Sequence, residues 1–258
     1  MGRGPWEAVY GSEAYVVDFA DEIGAAPVMV DLERVVHRVS GTAVRADVAG
    51  HWSALHPVVR AGLTRRVVVL GAESTGTTTL AMSLAELLGV PWVAEYGREL
   101  SARKAAEAGS IWDVAWRSAD FMHVADQQER LEEATIRSWV ADARGSTPGR
   151  FGPLVVCDTD VLATAVWHRR YCERPAPGLL DRARRRPPLL YVLTTPREVP
   201  FVQDGLRDGE HVRKEMTEWF REVLDCQPVP WIEVSGTPDE RVAAVIEMLD
   251  RTAPPPCR

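Results

Sequence analysis

Residues 71–79 read Gly71-Ala72-Glu73-Ser74-Thr75-Gly76-Thr77-Thr78-Thr79. They follow the four apolar residues Val67-Val68-Val69-Leu70. A buried strand, a glycine-bounded loop and a helix opened by hydroxyls is the plan of a phosphate-binding P-loop, G-x-x-x-x-G-K-[ST]. Glycines let successive backbone N–H groups turn onto an anion, and the helix N-terminus adds partial positive charge. The candidate nucleotide contacts are therefore Gly71, Ser74, Thr75, Gly76, Thr77, Thr78 and Thr79, with the Thr78 hydroxyl placed to hold Mg2+. Thr77 stands where the pattern has lysine, and that ammonium would contribute roughly 4 kcal/mol against a close phosphate charge. Composition bias does not explain the exchange: with 28 Arg and 2 Lys, lysine loss by drift would leave arginine.

Other reactive residue types recur at the ends of apolar runs. Pro91-Trp92-Val93-Ala94 is followed at once by Glu95-Tyr96-Gly97-Arg98-Glu99, and Leu154-Val155-Val156-Cys157 by Asp158-Thr159-Asp160. Ligands of parallel sheets sit beyond the carboxyl ends of the strands, so these residues are in place to act. Glu95 is a candidate general base, with the alternative of a plain helix-start carboxylate. Asp158 is the stronger candidate for holding Mg2+, while one of the two aspartates caps the following helix; Asp160 is also a candidate substrate contact. Gln128, beside Gln127 in a helical stretch, either faces solvent or reads an amide or base in the cleft. Phe201 to Gly209 holds two glycines and Arg207, a loop suited to closing over a nucleotide. Arg207 and Arg213 are the candidate replacements for the absent lysine charge, with Arg98 second to Arg207.

The elements that must position these residues alternate. From Arg66 onward, strands 67–70, 91–94, 154–157, 189–193 and 231–234 are separated by helical patterns, which predicts a parallel sheet covered on both faces. Helices are expected at 77–88, 161–171 and 239–251, with a long, mostly helical stretch at 112–142 and a loop at 144–153. Arg169, Arg170, Arg174, Arg182 and Arg184 to Arg186 make a basic, Pro-interrupted region, either a solvated surface or a source of cations near phosphate. Upstream, residues 6–10 and 27–31 read as short strands around a helix ending near Gly24. Val39-Ser40-Gly41-Thr42-Ala43-Val44-Arg45 is a polar turn into a helix, either an anion grip or an ordinary N-cap. The divisions expected are 1–62, 63–252 and a Pro-rich flexible tail at 253–258.

Thirty basic against 37 acidic residues give a net charge of −7, which argues against a broad nucleic-acid surface. Four cysteines, Cys157, Cys172, Cys226 and Cys257, show no C-x-x-C or metal spacing, so a reducing cytoplasmic setting is expected. No run of about 18 apolar residues occurs, and no membrane association is expected. A homo-oligomer stays open.

Taken together, Gly71 to Thr79, Glu95 to Glu99, Asp158 to Asp160 and Asp204-Gly205-Leu206-Arg207 resemble the ribosylnicotinamide kinase domain of the bifunctional NMN adenylyltransferase/ribosylnicotinamide kinase family. Ser40 to Arg45 resembles the S-x-T-x-x-R motif near the end of the partner nucleotidyltransferase domain. The H-x-G-H motif of adenylyl transfer is absent, since His37, His51 and His56 are not spaced for it. The resemblance implies an α/β P-loop kinase with a five-stranded parallel sheet in the order 2-3-1-4-5, preceded by a truncated Rossmann-like nucleotidyltransferase remnant. It implies ATP and Mg2+, with nicotinamide riboside or a related nucleoside phosphorylated on its ribose 5′-hydroxyl for NAD synthesis. Glu95, Arg98 and Arg207 would be catalytic, Thr78 and Asp158 would hold the metal, and Glu95, Tyr96, Arg98, Gln128 and Asp160 would contact the nucleoside. The lysine-less loop keeps a second reading in play, a nucleotide or NAD-metabolite sensor, and a third, a kinase for another small molecule.

Overall fold

The computed structural model describes residues 6–36, 38–142, 146–197, 199–202, 204–207 and 209–252. The expected tail at 253–258 lies outside them, as do His37, Gln203, Asp208 and residues 143–145. The chain forms two compact units, Met1–Ala54 and Leu55–Arg258.

The first unit holds β1 (Ala8–Gly11), α1 (Val16–Ile23), β2 (Ala26–Met29) and α2 (Gly41–Ala46). β1 and β2 pair in parallel from Ala8↔Ala26 to Gly11↔Met29, with α1 as the crossover that parallel strands require. Val16 and Ala20, four residues apart on α1, are its buried stripe. Ser40 caps α2 by accepting from the Ala43 N–H at 3.0 Å, and Arg45 donates to Thr42 Oγ1 at 3.3 Å. Its polar groups thus satisfy one another, which is the N-cap alternative for this stretch.

The second unit begins with α3 (Pro57–Leu63), so the division falls before this helix and not after residue 62. Then follow β3 (Arg65–Gly71), α4 (Thr77–Leu88), β4 (Trp92–Val93), α5 (Tyr96–Ala108) and α6 (Ser118–Ala141). The chain continues through β5 (Leu154–Asp158), α7 (Val161–Cys172), α8 (Pro177–Arg185), β6 (Leu190–Thr194), α9 (Arg213–Asp225), β7 (Trp231–Val234) and α10 (Pro238–Thr252). The sheet order is β4-β5-β3-β6-β7, every pair parallel, which is 2-3-1-4-5 within this unit. β3 sits at the centre because its run is apolar on both faces: Val67, Val68 and Val69 are fully buried.

One face of the sheet packs Val67, Val69, Val156 and Val192 against Leu80 and Leu84 of α4 and Val245 and Leu249 of α10. Each such side chain contributes about 1.5–3 kcal/mol on full burial. A second cluster joins Phe121 and Ala125 of α6, Val161 and Ala165 of α7 and Leu179 of α8. A buried charge cluster joins β3 to α6 and to the start of α7. Arg66 of β3 donates to Glu132 of α6 at 2.9 Å and lies 3.8 Å from Asp160.

The basic, Pro-interrupted region runs from the end of α7, which carries Arg169 and Arg170, into helix α8, with Pro177 in its first turn, where a missing N–H costs nothing. Arg174, Arg184 and Arg185 are exposed, which is the solvated-surface alternative. Arg182 clamps Glu129 of α6 through Nε and Nη2 at 2.8 and 2.7 Å, and Arg186 lies 3.3 Å from the same carboxylate. The long, mostly helical stretch expected at 112–142 is α6 from Ser118 onward, preceded by a short 3-10 turn at Ile111–Asp113.

Candidate functional site

The register of the sheet brings the site together. Val69 of β3 lies opposite Asp158 of β5, which sets the Asp158 carboxylate beside the loop that begins two residues later. Gly71 admits no side chain: a Cβ would stand 2.4 Å from Thr194 Oγ1 and 2.7 Å from Thr75 Oγ1. Gly76 closes the loop at φ +86°, the left-handed region that glycine enters without steric cost. No side chain caps α4, so its first-turn N–H groups are left to a ligand, and an anion is what they suit. At the other strand tip, Thr159 has φ +79°, a strained state for a β-branched residue of the kind found at functional sites. Its N–H donates to the Val69 carbonyl at 2.8 Å and so ties the β5 tip to β3.

Gly71, Ser74, Thr77, Thr78, Glu95, Arg98, Asp158 and Arg207 line one cleft. The Thr78 hydroxyl donates to Asp158 at 2.5 Å. Burial raises the Asp158 carboxyl, and its bonds from Thr78 and Thr77 oppose the rise. Hydroxyl and carboxylate in contact beside an uncapped helix fit a hard divalent cation that takes its remaining ligands from phosphate and water. Among the described residues no cluster of three His, Cys, Asp or Glu groups offers a metal cage. Glu95 is half-buried at the start of α5, and no hydrogen bond to its carboxylate is made by the described residues. Burial and the neighbouring Asp158 charge push it up to about 7, while Arg98 and Arg207 pull the other way. A carboxylate of that kind is matched to accept a proton near neutral pH.

Arg207 reaches the loop itself, donating to Ser74 Oγ at 2.7 Å and to the Val202 carbonyl at 2.6 Å. Arg213 donates to the Ser74 carbonyl at 2.8 Å and Arg241 to the Thr75 carbonyl at 2.6 Å. Arginines therefore surround a loop that lacks its lysine. Arg98 pairs with Asp204 across the cleft mouth.

Other expected contacts are placed differently. Thr75 is buried, its hydroxyl donating to the Ala72 carbonyl at 2.7 Å, so only its backbone can meet a phosphate. Gly76 and Thr79 line a second hollow with Val199, Pro200, Gly236, Pro238 and Arg241. Gln128 is fully buried and spent on backbone: its Oε1 accepts from the Tyr96 N–H at 2.9 Å and its Nε2 donates to the Ala94 carbonyl at 3.3 Å. It brackets Glu95 and is no substrate contact. Asp160 caps α7 by accepting from Leu162 and Ala163, and its other oxygen accepts from the Tyr191 hydroxyl at 3.0 Å. Buried on all sides, it too is removed from the substrate list. The Tyr96 ring turns to His123, 5.7 Å between centroids, and does not line the cleft.

The cleft also has an aromatic wall that none of the motifs announces. Trp116, Phe121, Trp167 and Tyr171 line it, with 5.2 Å between the Trp116 and Tyr171 centroids. Trp167 and Tyr171 are four residues apart on one helix, the spacing that puts both on one face. That spacing was the available signal; that Trp116 joins them from another segment had none.

The fold and the site define a P-loop α/β protein built to hold phosphate beside a carboxylate. The chain belongs to the AAA domain family, which matches residues 66–241. Among curated proteins it is similar to the trifunctional NAD biosynthesis/regulator protein NadR of Escherichia coli K12, 24% identical over 250 residues, 94% of this chain and 56% of the relative. NadR of Salmonella typhimurium LT2 is 25% identical over 248 residues, 93% and 56% of the two chains. The chain thus spans about half the length of the curated relatives it matches. Of solved structures, the NadR protein in complex with NR aligns with a TM-score of 0.68 at 19% identity, covering 95% of this chain and 67% of the other. The NadR protein in complex with NAD and AMP-PNP gives 0.64 at 19% identity, covering 96% and 67%. These relatives bear out the family resemblance carried by the motifs, and the solved structures bear out the fold.

Proposed function

We propose that the chain is a small-molecule kinase that transfers the terminal phosphoryl group of ATP to the ribose 5′-hydroxyl of nicotinamide riboside or a closely related nucleoside. The observation that carries this reading is the Glu95 carboxylate, unpaired among the described residues, pushed up to about 7 and facing Thr78 and Asp158 in one cleft. Its neighbours agree with the substrate class. The NadR relatives are named for NAD biosynthesis, and one solved relative holds NR. An aromatic wall beside carboxylates suits a cationic pyridinium ring, which is drawn to π faces and to negative charge.

The loop amides of residues 71–78 would cradle the phosphates, and the hollow beside Thr79 and Gly236 has the apolar walls that a base would need. Thr78 and Asp158 would hold Mg2+, which supplies positive charge to the phosphate oxygens. Glu95 accepts the hydroxyl proton, Arg98 and Arg207 neutralise charge developing on the transferred group, and the aromatic wall orients the acceptor and excludes water. The first unit, Met1–Ala54, is read as a nucleotidyltransferase-like segment that carries no adenylyl transfer of its own, since the sequence holds no H-x-G-H. No helix of the described residues is long and apolar enough to cross a membrane, and a cytoplasmic setting is proposed from the cysteine pattern. The test is incubation of the full chain with ATP, Mg2+ and a nucleoside panel, reading nucleoside monophosphate by mass. Formation of NMN from nicotinamide riboside is expected. ATP binding with no acceptor turned over would replace the kinase by a nucleotide sensor.

A further inference from the structure

Asp204 sits where two cations of the cleft converge. Its Oδ2 pairs with Arg98 of α5 and lies 3.4 Å from Arg207 Nε. Its Oδ1 accepts from the Leu206 N–H at 3.1 Å, which fixes the orientation of the carboxylate and leaves Oδ2 to the guanidiniums. Arg207 is itself anchored on the phosphate-binding loop through Ser74, so the shared oxygen, although open to solvent, lies beside that loop. Among the described residues Asp204 is the one carboxylate paired with Arg98 within 4 Å. Partial burial would raise this carboxyl, but Arg98, the Leu206 N–H and Arg207 hold it below the usual range, so it is a full anion at neutral pH.

A carboxylate oxygen shared by two guanidiniums stands in for a phosphoryl oxygen, which binds the same donors in the same way. We propose that Asp204 competes with the terminal phosphate of the nucleotide for Arg98 and Arg207, and so is a positioning residue that sets how much of their charge reaches the phosphate. The inference rests on the kinase reading for its consequence, though not for its geometry. In the bound state the two arginines exchange one anion for another, and Asp204 lowers ATP affinity by the strength of the contacts given up. With lysine absent at position 77, that exchange sets how much of the Arg98 and Arg207 charge is free for the phosphate.

The experiment is calorimetric titration of the full chain and its Asp204→Asn and Asp204→Glu variants with ATP, and with adenosine as a phosphate-free probe. Asp204→Asn should tighten ATP by about 3- to 10-fold, since partly exposed ion pairs are each worth up to about 1 kcal/mol. Adenosine affinity should not change, and Asp204→Glu, which keeps the anion, should stay within about twofold of wild type for ATP. Equal or weaker ATP binding by Asp204→Asn, or a parallel change in adenosine binding, overturns the proposal, because a loosened loop would do that. Tighter ATP binding in a chain that phosphorylates no nucleoside would sink the kinase reading and leave this inference standing. Nucleoside phosphorylation without the tightening would sink the inference alone, and a wild-type chain that binds no ATP would sink both.

Discussion

Replacing Glu95 by glutamine should make the chain more stable at pH 8 while removing its chemistry. The wild-type carboxyl is lifted from an ordinary 4.5 to about 7, by burial first and by the Asp158 charge second. Between these values the folded chain keeps a proton that the unfolded chain has lost, so stability falls as pH rises through the window and is lowest above it. At about 1.4 kcal/mol per pH unit the gap bounds the cost of ionised Glu95 at about 3.5 kcal/mol. Solvent reaches part of the side chain and the coupling to Asp158 is shared between two groups, which brings the figure to about 1–2 kcal/mol. Glutamine has nearly the same shape and no charge, so it removes that cost at pH 8 and changes little at pH 5. With an m-value of about 2 kcal/mol per molar urea, the midpoint at pH 8 should rise by about 0.5–1 M. The assay is urea unfolding at pH 5, 6, 7 and 8, followed by fluorescence of Trp116 and Trp167 in the same unit. Glu132, also pushed up to about 7 by burial, titrates in the same window in both chains, so the difference between wild type and Glu95→Gln isolates Glu95. Turnover of the variant should fall about 10²- to 10⁴-fold with ATP affinity nearly kept. A variant that matches or falls below wild type in stability at pH 8 would refute the electrostatic account, and unaltered turnover would remove Glu95 as base.

Arg207→Ala should lower kcat more than about tenfold, since a charge-assisted contact is worth about 1.5–3 kcal/mol; Thr77→Lys should be neutral or mildly activating because Arg207 already stands at Ser74. Steady-state kinetics of both variants checks this, and a large gain from Thr77→Lys with Arg207→Ala silent would show a loop simply short of charge. Asp160→Ala should destabilise the second unit by about 3 kcal/mol or more, because it strips an acceptor from two amides and Tyr191 and unbalances the Arg66 cluster. Denaturation reads that loss, and a raised KM for nucleoside in an undestabilised chain would return Asp160 to the substrate site.

Local pattern carried the strand–loop–helix of residues 67–88, the parallel sheet and the strand-tip residues Glu95 and Asp158. Apolar runs, glycine spacing and helix-start hydroxyls are short-range signals, and a parallel sheet places every strand tip on one edge. The order of the five strands came from the family resemblance, and pairing bears it out. What local pattern could not decide was which way a polar side chain turns. Asp158 and Asp160 are two residues apart at one strand end; β pairing aims the first at Thr78, while the second, past the strand, turns back as a helix cap. Gln128 reads as a polar helix residue, yet α6 packs it under the β4–α5 turn, where two unpaired backbone groups need it more than a substrate would. Trp116 and Phe121 are near in the chain, as are Trp167 and Tyr171, but the two pairs are far from each other, and only the packing of α6 and the segment before it on α7 makes them a wall. Arg98, Asp204 and Arg207 likewise meet through a contact spanning 106 residues, a separation at which sequence spacing holds no information about distance.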